Sequence, residues 1–196
     1  MAYTPIGEKD LIFIDTETTG LEPRIHEVIE IAIIRVNLKL GTRIIYETKI
    51  KPQHIETASP KALEVNGYTE EAWAKAPYLG EIAREIVELL KDGIIVGHNV
   101  SFDTSMISGA LKEIGIESRL SHHRADTLTL AYEHLVPLGL ESLSLDNIRK
   151  FLGWSLEGAH AALKDAEDAE KLFFLLERAN WWRLRKIQKM VRKARQ

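Results

Sequence analysis

Five residues scattered along the chain are of the types that, brought together, hydrolyse a phosphodiester: Asp15, Glu17, Asp103, His160 and Asp165. Asp15 and Glu17 stand in Asp15-Thr16-Glu17-Thr18-Thr19-Gly20, directly after the apolar run Leu11-Ile12-Phe13-Ile14. Asp103 closes His98-Asn99-Val100-Ser101-Phe102-Asp103, and His160 and Asp165 frame His160-Ala161-Ala162-Leu163-Lys164-Asp165. Four carboxylates are more than a metal-free acid/base pair needs. They suit a pair of hard cations, which prefer oxygen ligands, and hard cations beside a histidine suit phosphodiester hydrolysis.

Residues 11–14 read as a short buried strand that ends where the polar residues begin. Asp15 and Glu17 are two apart, so in extended chain both leave the same side of that strand's carboxyl end, where open α/β sheets place their sites. Adjacent carboxylates raise each other's pKa unless a cation intervenes. An Asp-x-Glu pair alone is more often a solvated strand end. Here Gly20 adds a tight turn that lets the backbone of Thr18 and Thr19 approach a substrate. Asp103 follows the apolar strand 94–96 and opens a helix; alone it reads as a plain N-cap. A strand 94–96 lying beside the first brings Asp103 to Asp15, with Gly97 allowing close packing. His98 and Asn99 then offer polar contacts, and Phe102 packs in the core or meets a base. His160 and Asp165 lie at the start of a helix lined by Ala159, Ala161, Ala162, Ala166 and Ala169. A charged Asp in such a tightly packed stretch needs a partner, and a metal is one. His160 hangs at the mouth, where a neutral imidazole can take a proton from water. His122 and His123 read as ordinary surface or packing residues.

The elements that must position these residues follow from patterning. Strands are expected over 28–36 and 42–50, joined by a hairpin turn at 38–41, so the sheet starts antiparallel. Residues 59–92 read as helical, opened by Ser59-Pro60 and closed by Asp92-Gly93, with Ile82, Ile86, Leu89 and Leu90 as the apolar stripe. Further helices are expected over 102–113, 127–134, 144–151 and 161–178, with a short fifth strand at 124–126. Three strands in meander order, then strands alternating with helices, make a mixed α/β sheet flanked by helices.

The chain has 196 residues, ordinary hydrophobic content and no cysteine, which excludes disulfides, thiolate zinc sites and cysteine nucleophiles. No apolar run is long enough to span a membrane, and residues 1–10 do not form a secretory signal, so a cytoplasmic protein is expected. The net charge of −3 hides an asymmetry. Residues 178–196 hold eight Lys/Arg and no acid, leaving 18 bases against 29 acids, a net of −11, in the rest. An acidic body needs local neutralisation where a phosphate chain approaches, and bound metal ions supply it. Two parts are expected: a domain over 1–178 and a basic amphipathic helix over 179–196. In that helix Trp181, Leu184, Ile187 and Val191 recur at helical spacing. It docks on a polymerase or other partner, contacts nucleic acid, or packs back on its own domain.

Taken together the three motifs closely resemble those of the DEDDh-type 3′–5′ exonucleases, the family of the epsilon proofreading subunit of bacterial DNA polymerase III and of ribonuclease T. The resemblance runs from about residue 10 to residue 178 and implies the ribonuclease H-like fold. It implies that Asp15, Glu17 and Asp165 hold one Mg²⁺ or Mn²⁺, that Asp15 bridges to a second ion, and that Asp103 reaches the second through water. His160 then deprotonates the attacking water. The backbone near Thr18 holds the terminal 3′-hydroxyl, and Leu21 or Phe102 wedges against the terminal bases. Asp126 falls where relatives carry an Asp that supports the site. Single-stranded DNA is the expected substrate. The alternatives are a 3′ trimming ribonuclease and, from another class, a tethering module without activity.

Overall fold

The computed structural model describes residues 5–178 and 181–194, with side chains described except at 181–183 and 192–194. Five strands form one mixed sheet: β1 (Leu11–Thr18), β2 (Val28–Asn37), β3 (Thr42–Lys49), β4 (Ile94–Gly97) and β5 (Arg124–Asp126). Their order across the sheet is β3-β2-β1-β4-β5. The first three strands run antiparallel, and β4 and β5 join parallel to β1. The helices among the described residues are α1 (Pro60–Val65), α2 (Glu70–Trp73), α3 (Leu79–Leu90), α4 (Val100–Glu113), α5 (Thr127–Leu135), α6 (Leu145–Leu152), α7 (Ala162–Leu176) and α8 (Trp181–Ala194). None is long and apolar enough to cross a membrane.

β1 is the centre of the molecule. It is covered on both faces, which is why its start is continuously apolar. Ile12 and Ile14 face α3 and α4, among Ile31, Ile33, Ile86, Met106 and Leu111. Leu11 and Phe13 face α7, among Ala162, Ala166 and Phe173. Small residues let α7 lie close on the sheet, and the Phe13 ring packs edge-on against Phe173 at 5.6 Å. The strand runs four residues past its apolar part. Asp15 pairs with Ala32 and Glu17 with Glu30, so both acids stand inside the ladder rather than beyond it. Backbone pairing with β2 carries the strand on regardless of side-chain polarity.

The segment expected to be helical over 59–92 is three helices. Gly67, at φ 63°, ends the first turn region, and the chain around Pro77 separates α2 from α3. Ser59 occupies the N-cap position of α1 without capping it by its side chain. Its N–H instead goes to Thr19 O at 2.7 Å, tying α1 to the end of β1.

The apolar stripe of α8 is used at home. Ile187 and Val191 are buried and Leu184 is partly buried, against Leu152, Leu172 and Leu176 of α6 and α7. This removes the stripe as a free docking face; the side chain of Trp181 lies outside the described residues. Lys186 and Lys189 are exposed on the other side. Ile187→Ala should therefore cost about 2–5 kcal/mol in urea unfolding, the range for emptying a buried aliphatic site. A loss below about 0.5 kcal/mol, typical of a surface position, would show that α8 is not part of the core.

Candidate active site

Asp15 and Glu17 share the β1 face that carries Leu11 and Phe13, so both project toward α7. A bulge between Glu17 and Thr18 ends the regular pairing with β2. Thr16 points the other way, to α4. There Asp103 Oδ1 accepts both the Thr16 N–H, at 3.0 Å, and its hydroxyl, at 2.8 Å. Asp103 is not the N-cap of α4. That position belongs to Asn99, in left-handed backbone at φ 69°, and Asp103 is buried in the first turn. β4 beside β1 thus delivers Asp103 to the end of the central strand from the α4 side.

Asp165 arrives from the opposite face, in the first turn of α7. His160 precedes that helix at φ 66°, and its N–H donates to Asp165 Oδ1 at 3.3 Å. Its ring Nε2 lies 3.4 Å from Asp146 Oδ2. One ligand atom from each of Glu17, His160 and Asp165 lies within 4.8 Å of the others. The start of α7 is pinned to the sheet by Glu30, a buried β2 residue opposite Glu17, whose Oε1 accepts the Ala162 N–H at 3.0 Å.

The electrostatics follow from this crowding. Burial, then the charges of Asp103, Asp165 and Glu17, push Asp15 well above the usual carboxylate range, with Arg149 opposing. Burial, then Asp165, Glu30 and Asp103, push Glu17 up to about 8. Burial raises Asp103 to about 7 despite its bonds from Thr16. Asp165 is raised by burial, while Arg149 and His160 favour its charged form. A group of hard oxygen donors that cannot all ionise at neutral pH, with one imidazole at its edge, fits a divalent cation.

Next to these acids lies a cleft of about 520 Å³, within the size range that small ligands fill. Thr18, Gly20, Leu21 and Phe102 line it, as do Val65 and Asn66 of the α1 region. Leu21 is 79% exposed. A Cβ at Gly20 would sit 2.3 Å from the His26 ring, so a larger residue there would displace that ring from its bond with the Glu22 N–H. Two residues expected to contact substrate, Thr19 and His98, have side chains engaged elsewhere. Thr19 gives its N–H to Glu27 O and accepts the Glu27 N–H on its hydroxyl, so it closes the turn after β1. His98 donates from Nε2 to Leu143 O at 2.7 Å and sets Nδ1 2.9 Å from Thr127 Oγ1, so its ring braces β4 against the start of α5 and the chain before α6. Asn99 turns the chain into α4. Asp126 accepts the N–H groups of Asn99, Val100 and Leu128, supporting the site from outside it.

Glu30, Asp146, Arg149 and Asp168 belong to the site's frame and carry no motif. Arg149 had a signal: it lies at a position of the α6 stripe formed by Leu145, Ile148 and Leu152, where an arginine is out of place. Glu30 had one as well, as the one acid in the otherwise apolar run 28–34.

A mixed five-stranded sheet whose central strand ends in converging carboxylates defines the ribonuclease H-like class. Residues 12–173 match the RNase T exonuclease family, and the chain belongs to that family. Its epsilon-like, DEDDh character is shared with relatives. It is 34% identical over 170 residues to a PolC-type DNA polymerase III of Thermotoga maritima, covering 85% of this chain and 12% of that protein. It is 29% identical over 159 residues to the DNA polymerase III epsilon subunit of Treponema pallidum, covering 81% and 72%. The fold is that of Escherichia coli exonuclease I in a zinc-bound complex with single-stranded DNA, with TM-score 0.73, 24% identity and coverage of 90% and 42%. The chain thus spans a small part of the PolC-type relative. Exonucleases of this fold generally use divalent metals.

A carboxyl raised by folding binds its proton more tightly folded than unfolded, so stability falls as pH rises from 4.5 to about 8, the Glu17 window. In EDTA the protein should melt lower near the top of that window than near its foot. Mn²⁺ should raise the melting temperature most at the top, and Glu17→Gln should melt higher than wild type there without metal. A metal-free melting temperature flat across the window, by scanning calorimetry, would refute the strain among these carboxyls.

Proposed function

We propose that this chain is a 3′–5′ exonuclease that uses two divalent metal ions, Mg²⁺ or Mn²⁺, to remove nucleoside 5′-monophosphates from the 3′ end of single-stranded DNA. The observation that carries the reading is the convergence of Glu17, His160 and Asp165 within 4.8 Å, with Asp15 and Asp103 beside them, both raised by burial and Asp15 also by its neighbouring acids. Asp15, Glu17 and Asp165 would hold one ion, and Asp15 with Asp103 would serve a second. When bound, such ions polarise the phosphodiester and stabilise its attacking and leaving oxygens.

The chain's own residues do the rest. His160, 45% exposed at the mouth of the site, takes the proton from the attacking water. The new bond joins that oxygen to phosphorus, and the bond to the 3′ oxygen of the penultimate nucleotide breaks. A shortened strand with a 3′-hydroxyl and a nucleoside 5′-monophosphate result. The cleft wall of Leu21, Val65 and Phe102 meets the terminal base by apolar contact and stacking, which tolerates any sequence. Asn66 Nδ2 donates to Thr18 O at 3.0 Å, so the wall is tied to the strand end that receives the 3′-hydroxyl. Lys186 and Lys189 on α8 add diffuse attraction to the polyanion. DNA is favoured over RNA by the likeness to DNA polymerase III chains and to the exonuclease I complex with single-stranded DNA. The same likeness favours a bacterial cytoplasmic setting and proofreading or repair alongside a DNA polymerase.

A gel assay on 5′-labelled single-stranded DNA and its RNA equivalent, with Mg²⁺, Mn²⁺ or EDTA, tests the proposal. The expected result is a metal-dependent ladder shortening from the 3′ end, faster on DNA. Internal cuts, or cleavage in EDTA, would sink it, and faster loss of RNA would reassign the substrate. Asp15→Ala and Asp165→Ala should abolish cleavage. His160→Ala should lower it by roughly 10²–10⁴-fold while Mn²⁺ binding survives.

A further inference from the structure

Among the described residues Arg149 is the largest fully buried side chain, with none of its surface exposed. A guanidinium out of water must be fully paired, and this one is paired three ways. Nε donates to Asp168 Oδ2 at 2.7 Å, Nη1 to Asp146 Oδ1 at 2.8 Å and Nη2 to Asp165 Oδ1 at 2.7 Å. Asp168 also meets Lys164.

Asp168 and Asp146 alone would neutralise an arginine. The third arm instead reaches Asp165, one of the acids at the end of β1. Both bonds to Asp165, from Arg149 and from the His160 N–H, fall on Oδ1, which leaves Oδ2 for a cation. Asp146 is shared in the same way: Oδ1 takes Arg149 and Oδ2 lies 3.4 Å from His160 Nε2. The contacts close a ring through Asp165, Arg149, Asp146 and His160. Every member is fixed by two others, and two of them, Asp165 and His160, are the residues grouped with Glu17.

We propose that Arg149 is a positioning residue for this reaction, a resident cation that holds Asp165 ready for metal and, through Asp146, holds His160 at the mouth of the site. The inference rests on the exonuclease reading of the site. Arg149 touches neither the cleft nor the substrate. Its planar fork can serve three carboxylates at once, and a lysine ammonium in its place keeps the charge while losing that fork.

Arg149→Lys and Asp146→Asn, each checked for folding by circular dichroism, are to be compared with wild type by Mn²⁺ titration calorimetry and by steady-state cleavage of single-stranded DNA. Arg149→Lys should bind Mn²⁺ about 10–100-fold more weakly, the usual cost of losing a residue that orients a metal ligand. Its kcat should fall by a similar factor with KM unchanged. Asp146→Asn should lose about tenfold or more in kcat and less Mn²⁺ affinity than Arg149→Lys, because Asp146 meets His160 directly and Asp165 only through Arg149. A folded Arg149→Lys with wild-type Mn²⁺ affinity and kcat would overturn the proposal, leaving Arg149 a packing anchor. If Arg149→Lys does not fold, Asp146→Asn decides, and unchanged kcat there overturns it. Wild-type protein that binds no Mn²⁺ would instead sink the exonuclease reading itself.

Discussion

Asp15, Glu17, Asp103 and Asp165 are held at the end of one strand against their own repulsion and against the loss of their hydration. Burial is the largest contribution to the raised pKa of each, and the mutual charges add to it for Asp15 and Glu17. Left to itself, such a cluster would separate or protonate. The rest of the fold supplies the restraint. Asp15 and Glu17 are fixed by the β1–β2 ladder, Asp103 by the Thr16 backbone and hydroxyl, and Asp165 by α7. A cation bound among these acids would remove the repulsion and the need for protons together, so the cost of the empty cluster would count toward its affinity for metal.

Restraint of this kind requires elements that do not yield. α7 sits close to the sheet because Ala162, Ala166 and Ala169 leave room for it, and Glu30 caps its first turn from β2. α4 is held by Val100, Met106, Ile107 and Leu111 on the other face, and Asp126 takes the free N–H groups where it begins. The acids therefore arrive from both faces of β1, on elements whose hydrophobic contacts resist the recoil. Among the described residues no buried side-chain polar atom lacks a hydrogen-bond partner. In a molecule that buries this many charges, such completeness is a condition of folding.

What the sequence made legible is what has a short-range rule. The strand and helix order, the five acid and histidine positions and the alanine seam of α7 follow from period, spacing and residue size. The segment 59–92 was overdrawn as one helical stretch because its apolar pattern outweighed the break at Gly67. Thr19 and His98 read as substrate contacts because a polar residue in a motif invites that role. Their partners, Glu27, Leu143 and Thr127, are set by tertiary contact and have no signature at a fixed spacing. α8 had three readings of its stripe, and only packing against α6 and α7 separates them.

Arg149 shows the same limit from the other side. Its place in the α6 stripe marks it as buried, but burial alone says nothing about which charges meet it. Those charges come from α6 and α7, sixteen and nineteen residues away in the case of Asp165 and Asp168. A permanent cation there offsets part of the carboxylate repulsion without occupying the place of a metal, since it binds Asp165 through one oxygen from behind. It favours the charged form of Asp165 directly and of Asp15 at a distance, while burial and neighbouring acids keep Glu17 raised. The site thereby holds one acid oriented by a resident cation, beside Asp15 and Glu17, which have no ion pair among the described residues.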